Sequence, residues 1–356
     1  MNEKRLARVI ENMEKAGLSC ILVSAPHSVY YLTGFFIHPG ERMLALMVKK
    51  SGEVRLFANR LFALTQQENL PLTEFDDTED CVRILAAFLP TGKIGVDKLW
   101  PSEFTIRLIE ARGDIVPVLG SGPVDDARMI KDAQEIVQMR KSSRKNDAAM
   151  TRLIPTLRAG ETELDVCERY AKCARDVGGT GVSFSPLVCF GKNCAEPHHA
   201  SDGTRLESGQ TVILDVGLAH ERMMSDMTRT VVLGKATDEI KKVYDVVLRA
   251  NEAGRNAVRP GIEMRNIDFA ARKVIEDAGF GKYFIHRLGH GIGLEVHEPM
   301  DASAVNARPA QTGMTFSIEP GIYLPGKFGV RIEDLVCVTE DGCETLNGFG
   351  RELVEL

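Results

Sequence analysis

Thr211-Val-Ile-Leu-Asp-Val216 and Asp226-Met-Thr-Arg-Thr-Val231 are the stretches on which the fold turns. Successive side chains of a strand point to opposite faces. Thr211, Ile213 and Asp215 therefore share one face, and Asp226, Thr228 and Thr230 share another. The nine residues between them, GLAHERMMS, suffice to fold the strands back on each other, so aspartates 11 apart (226 − 215) meet across a hairpin. The same reading applies further along the chain. In Thr315-Phe-Ser-Ile-Glu319, Phe316 and Ile318 oppose Thr315, Ser317 and Glu319; in Val330-Arg-Ile-Glu-Asp-Leu335, Arg331 and Glu333 oppose Val330 and Ile332. Each acid thus lies on the polar side of a half-buried strand, as ligands lining a cleft over a sheet would.

Taken singly, any of these acids reads as a surface or salt-bridged residue. Apolar neighbours and adjacent glycines argue for burial, and a buried carboxylate needs a partner. His290 sits in Gly289-His-Gly-Ile-Gly293, with His286 four residues before and His297 seven after. One buried histidine is more often a satisfied core residue; three within twelve residues, followed by Glu298 and Pro299, read as a site. Asp215, Asp226, His290, Glu319 and Glu333 suit two divalent cations with oxygen and nitrogen preference. Such a pair polarises a carbonyl and holds a nucleophilic hydroxide. The HExxH pattern of helical one-zinc proteases is absent. Pro197-His198-His199 reads either as a solvent-exposed loop or as a source of one substrate-facing histidine. His220 reads as exposed in the hairpin turn, and His27 and His38 receive no role.

The length of 356 residues suits about two domains. A formal net charge of -6 argues against nucleic-acid binding. The start, MNEKRLARVIENMEKAG, is charged and amphipathic rather than signal-like, and no apolar run approaches the roughly 20 residues that span a bilayer. A cytoplasmic protein is the expectation. Its eight cysteines, none in CxxC spacing, read as reduced thiols, with Cys189 and Cys194 flanking a loop.

Residues 5–16 predict a helix ended by Gly17. Strands at 20–23, 43–48, 54–58 and 93–96, with a helix at 80–89, predict an α/β domain over 1–122. Gly120-Ser-Gly-Pro-Val124 reads as a linker. Over 128–356, helices at 131–157, 162–177, 237–257 and 264–278 alternate with strands at 211–216, 227–233, 314–319 and 330–338. That order predicts an α+β domain. Thr162 and Asp165 fit a capping box, with Leu164, Cys167, Ala171 and Ala174 as the buried stripe. No internal repeat is visible.

PHHASDGTRLESGQTVILDVG, SDMTRT, HRLGHGIGLEVHEP, FSIEPGIY and VRIEDLVCVT, in that order, resemble the metal-dependent creatinase/aminopeptidase P/prolidase family, and AGLSCILVSAPHSVYYLTGF resembles its first domain. The resemblance implies a creatinase-like N-terminal domain and a C-terminal "pita-bread" catalytic domain. It implies two metals, manganese or cobalt, with zinc or iron also compatible. Asp226 and Glu333 would bridge them, Asp215 would complete one site, and His290 with Glu319 the other. His198 and His297 would contact the reacting carbonyl, Glu319 would move a proton, and His286 and Arg331 would bind substrate. Met223 stands where many relatives carry tyrosine, which loosens a pocket wall. The implied activity is cleavage of the amide before proline in Xaa-Pro dipeptides or short peptides, by a homodimer. The alternatives are a same-fold C–N hydrolase or lyase acting on a small non-peptide molecule, and a non-catalytic relative, which would have lost ligands that this chain keeps.

Overall fold

The structure, a computed structural model, describes residues 1–356 and divides into two compact units, Met1–Arg128 and Met129–Leu356. The first begins with α1 (Glu3–Lys15), capped where the Asn2 side chain accepts from the Arg5 N–H. Gly17, at φ 66°, supplies the left-handed turn that ends it. There follow β1 (Cys20–Val23), α2 (Pro26–Thr33), β2 (Ala45–Lys49), β3 (Val54–Asn59), β4 (Leu72–Phe75), α3 (Cys81–Ala86), β5 (Gly92–Val96), α4 (Ser102–Ala111), β6 (Ile115–Leu119) and α5 (Gly122–Met129). The six strands form one sheet ordered β4-β3-β2-β1-β5-β6. Every residue of β1 is buried, because it lies between β2, antiparallel to it, and β5, parallel to it. The α/β class predicted for this unit is met. The stretch 120–124 is no free linker, since Gly122-Pro123-Val124 opens α5.

The second unit holds α6 (Ala133–Leu153), α7 (Glu163–Asp176), β7 (Gly181–Val182), β8 (Leu187–Phe190), β9 (Thr211–Val216), β10 (Leu218–His220), β11 (Met223–Met224), β12 (Met227–Val232), α8 (Asp238–Ala257) and α9 (Met264–Asp277). It continues with β13 (Gly289–Gly291), β14 (Glu298–Ala302), β15 (Thr315–Ile318), β16 (Gly321–Leu324), β17 (Phe328–Arg331), β18 (Asp334–Val338), β19 (Cys343–Thr345) and β20 (Val354–Glu355). Two sheets dominate, ordered β20-β12-β9-β8 and β14-β13-β15-β18-β19. Apolar residues of α6 and α7, such as Met150, Leu153, Val166 and Tyr170, cluster with Val212, Leu214 and Val216. Those of α8 and α9, such as Val243, Val247, Ile267 and Ala271, cluster with Phe316, Ile318, Val330 and Val336. This is the expected α+β unit, and it is built from two halves of one plan. Each half lays a helix pair on a mainly antiparallel sheet, a likeness invisible as sequence repetition; the edge strand β20 alone runs parallel to its neighbour, β12.

The halves also share a tie. Asn146 of α6, fully buried, donates to the Val216 carbonyl at 2.9 Å, next to Asp215. Asn251 of α8, equally buried, donates to the carbonyls of Ile318 and Ile332 at 3.0 and 3.2 Å, the residues just before Glu319 and Glu333. A buried amide whose donors are filled fixes backbone direction, because an unmade hydrogen bond there costs about 1–3 kcal/mol.

Three local readings are corrected. The strand expected over 330–338 is two strands: β17 pairs with β16, whereas β18 pairs with β15. The buried stripe of α7 is Glu163, Val166, Tyr170, Cys173 and Ala174, and Leu164 is 51% exposed. His220 lies in β10 with its Nδ1 buried, not free in a turn. Met223 is buried in β11, where its carbonyl accepts from Ser142.

Candidate metal centre

The hairpin β9/β12 is in register Asp215 opposite Thr228, which brings Asp226, just before β12, round to the same end. On the other sheet, Glu319 follows β15 and Glu333 precedes β18, the strands being paired from Thr315–Cys337 to Ile318–Asp334. Pro320, lacking an N–H, ends β15 after Glu319. The two sheets meet here, for the Glu333 N–H donates to the Thr228 carbonyl at 3.0 Å. Gly289 lets β13 come close enough to place His290: a Cβ there would lie 1.8 Å from the Ser317 carbonyl oxygen. Ser317 Oγ accepts from the His290 N–H at 3.0 Å and donates to Glu319 at 3.1 Å.

These contacts gather Asp226, His290 and Glu333, all buried, with ligand atoms within 4.8 Å of one another. His290 Nε2 stands 3.7 Å from Asp226, 3.5 Å from Glu319 and 4.0 Å from Glu333. Those separations are too long for hydrogen bonds. His290 Nδ1 faces its own neighbour's carbonyl, Gly291 O, at 3.2 Å. The proton therefore sits on Nδ1, and the Nε2 lone pair is turned to the acids. Asp215 faces the same pocket but gives an oxygen to Arg331 Nη2 at 2.7 Å. Glu333 accepts from Thr228 Oγ1 at 2.7 Å.

Burial, and then the mutual repulsion of Asp215, Asp226, Glu319 and Glu333, pushes the Asp226 and Glu333 carboxyls well above the ordinary range. Burial also lifts Glu319 to about 7, against the pull of Arg331 and with the push of Asp215. Burial and the nearby His297 lower His290 to about 3, so its imidazole is neutral. Asp226 Oδ1 and Glu333 Oε1 are buried with no hydrogen-bond donor. Asp147 Oδ1 is also buried without a donor, but only Asp226 and Glu333 bring such oxygens together beside an imidazole, an arrangement a cation would satisfy. The donor set of carboxylates plus one neutral imidazole fits divalent metals.

The remaining expected residues ring this centre. His286 Nδ1 lies 2.7 Å from the Arg287 carbonyl and its Nε2 lies 2.9 Å from Tyr323 Oη. Arg331 Nη1 donates to the same Tyr323 oxygen at 3.0 Å. The chain runs Arg331 to Tyr323 to a neutral His286, which burial, followed by Arg331, lowers to about 4. Tyr323 went unassigned in the sequence. Its alternation with Ile322 and Leu324 in GIYL is the signal that puts it on the Arg331 side. His297 is exposed, its ring centroid 4.1 Å from that of His290. His198 is exposed as well. His199 is turned elsewhere, onto Glu163 at 2.9 Å. A cavity of about 570 Å³ lined by Phe190, Lys192, Arg205 and Lys327 includes none of these residues.

Residues 137–340 match the model of metallopeptidase family M24, and residues 5–130 match the creatinase/prolidase N-terminal domain. The chain belongs to metallopeptidase family M24. It is 34% identical over 359 residues to an uncharacterized peptidase of Staphylococcus aureus (strain USA300), covering 97% of this chain and 99% of that one. Among solved structures it resembles a dipeptidase from Pyrococcus horikoshii OT3 (TM-score 0.94, 35% identity, 99% and 100% of the two chains). It also resembles a recombinant prolidase from Thermococcus sibiricus (TM-score 0.94, 33% identity, 100% of both chains). No helix is long and apolar enough to cross a membrane.

Proposed function

We propose that this chain hydrolyses the amide before proline in Xaa-Pro dipeptides or short peptides, using two divalent cations. The observation that carries the reading is the intact acid and imidazole set with two orphaned buried oxygens, in a chain similar along its whole length to a dipeptidase and a prolidase. Asp215, Asp226, His290, Glu319 and Glu333 hold the cations, manganese or cobalt first. When bound, divalent cations supply Lewis acidity toward the carbonyl and lower the pKa of water. Glu319 takes up a proton and returns it toward the leaving nitrogen. His198 and His297 donate to the oxygen on which negative charge develops. Arg331, kept in place by Asp215 and Tyr323, and His286 line the substrate side.

The test is turnover by protein stripped with chelator and reloaded with manganese, on Xaa-Pro dipeptides and Xaa-Pro-Yaa tripeptides. Hydrolysis of either supports the reading; inertness toward both overturns it.

A second measurement probes the centre itself. Burial raises the proton affinity of Asp226 and Glu333 and lifts Glu319 to about 7, so at pH 6 Glu319 carries a proton in the metal-free protein. Cation binding has to expel that proton, so apparent affinity tightens as pH rises. Titration calorimetry in buffers of different ionisation enthalpy should show net proton release near pH 6. Identical heats in both buffers would contradict the protonated centre.

A further inference from the structure

Glu163, the first residue of α7, is fully buried. One of its oxygens accepts from Phe190 N at 2.8 Å and Asn193 Nδ2 at 3.0 Å; the other accepts from His199 Nε2 and Asp202 N, both at 2.9 Å. His199 Nε2 also lies 3.0 Å from Asn193 Nδ2, so the imidazole is held between the carboxylate and the amide. The ligand atoms of Glu163, His199 and Asp202 lie as close together as those of a metal site. Here, however, both carboxylate oxygens are filled by N–H donors, which distinguishes this cluster from the centre with its orphans. All four donors come from one loop, 190–202, closed over the first turn of α7, where a carboxylate is also favoured by the helix dipole. The same loop carries His198, the residue next to His199.

We infer that the Glu163–His199 pair is a positioning latch: it seats the 190–202 loop on the start of α7 and so presents His198 to the substrate. His199 does not touch substrate and acts through His198. The inference rests on the proposed peptidase reading only for the role of His198. The seating of the loop stands on the hydrogen bonds alone.

The experiment compares wild type, His198→Ala, His199→Ala, His199→Gln and the His198→Ala/His199→Ala double variant, all loaded with manganese, on an Xaa-Pro dipeptide. Misplacing a group by about 1 Å can cost roughly a hundredfold in rate. His199→Ala is expected to lower kcat roughly ten- to hundredfold with metal content unchanged. His199→Gln, whose amide can still donate to Glu163, should recover most of that loss. The double variant should be no slower than His198→Ala, because the latch has nothing left to position. Losses that multiply in the double variant would overturn the inference, as would an unchanged His199→Ala. Hydrogen exchange separates this from the substrate question: His199→Ala should deprotect 190–202 while leaving β9 as it was. Unchanged exchange in that loop refutes the latch whatever the substrate, whereas a wild type inert toward Xaa-Pro peptides refutes only the peptidase reading.

Discussion

Glu333→Ala is expected to abolish hydrolysis and to release one or both metals. Glu333 sits where the two sheets touch, with one oxygen on Thr228 and the other orphaned. Removing it takes away charge that nothing nearby replaces. Lewis-acid stabilisation is worth several kcal/mol, so turnover should fall by roughly three orders of magnitude or more. Full activity with two bound metals would refute the role. The isosteric Glu333→Gln adds a second, opposite expectation. The folded-state value of Glu333 is raised above its ordinary 4.5. A group so shifted contributes stability at low pH and loses it as pH rises toward the folded value. A neutral amide loses nothing, so the metal-free Gln variant should melt higher than metal-free wild type at neutral pH while remaining inactive. A lower melting temperature at neutral pH would show that burial of this acid is not the strain inferred.

Asp334→Asn should produce the largest loss of stability. Asp334 is fully buried and accepts from Arg229 Nη2 at 2.8 Å and from Arg351 Nε at 2.6 Å. Arg229 also donates to the Glu333 carbonyl at 2.6 Å, so the cluster braces a proposed ligand from behind. Breaking a buried ion pair from one side costs about 3–5 kcal/mol. At roughly 2–4 °C per kcal/mol for a unit of this size, the melting temperature should fall by roughly 6–20 °C. Burial raises the proton affinity of Asp334, but Arg229 and Arg351 outweigh it, and its value lies below the ordinary 3.8. The pair therefore contributes fully above that value and is lost as pH falls through the lower, folded one. The gap between wild type and variant should close only in strong acid. Asp176→Asn, at the exposed pair with Lys172, serves as the comparison and should barely change melting. Equal effects of the two substitutions would sink the argument.

Sequence periodicity was enough to place Asp215 within a strand and Asp226, Glu319 and Glu333 at strand ends, because alternation is a local property. It was not enough for the break at Ile332–Glu333. Val330 to Val338 alternates like one strand, and only long-range pairing, β17 with β16 and β18 with β15, divides it. Leu164 misled for a related reason. An apolar residue beside a cap looks like core, but the buried position is taken by Glu163, whose charge is satisfied by a loop 27 or more residues away. The same distance hid the distinction between His198 and His199. Asn146 and Asn251 carry no sequence signal beyond being polar on an apolar helix face. Their meaning appears only when the strand carbonyls they hold are seen.

The two orphaned oxygens bear on how long this protein survives as well as on what it does. A ligand that binds only the folded chain stabilises it by mass action, and here it would also relieve repulsion among buried acids. In a cell starved of the ion, the second unit would open more often, and housekeeping proteases would clear it sooner. Scarcity of metal would then set the abundance of the protein, not merely the fraction of it that is active.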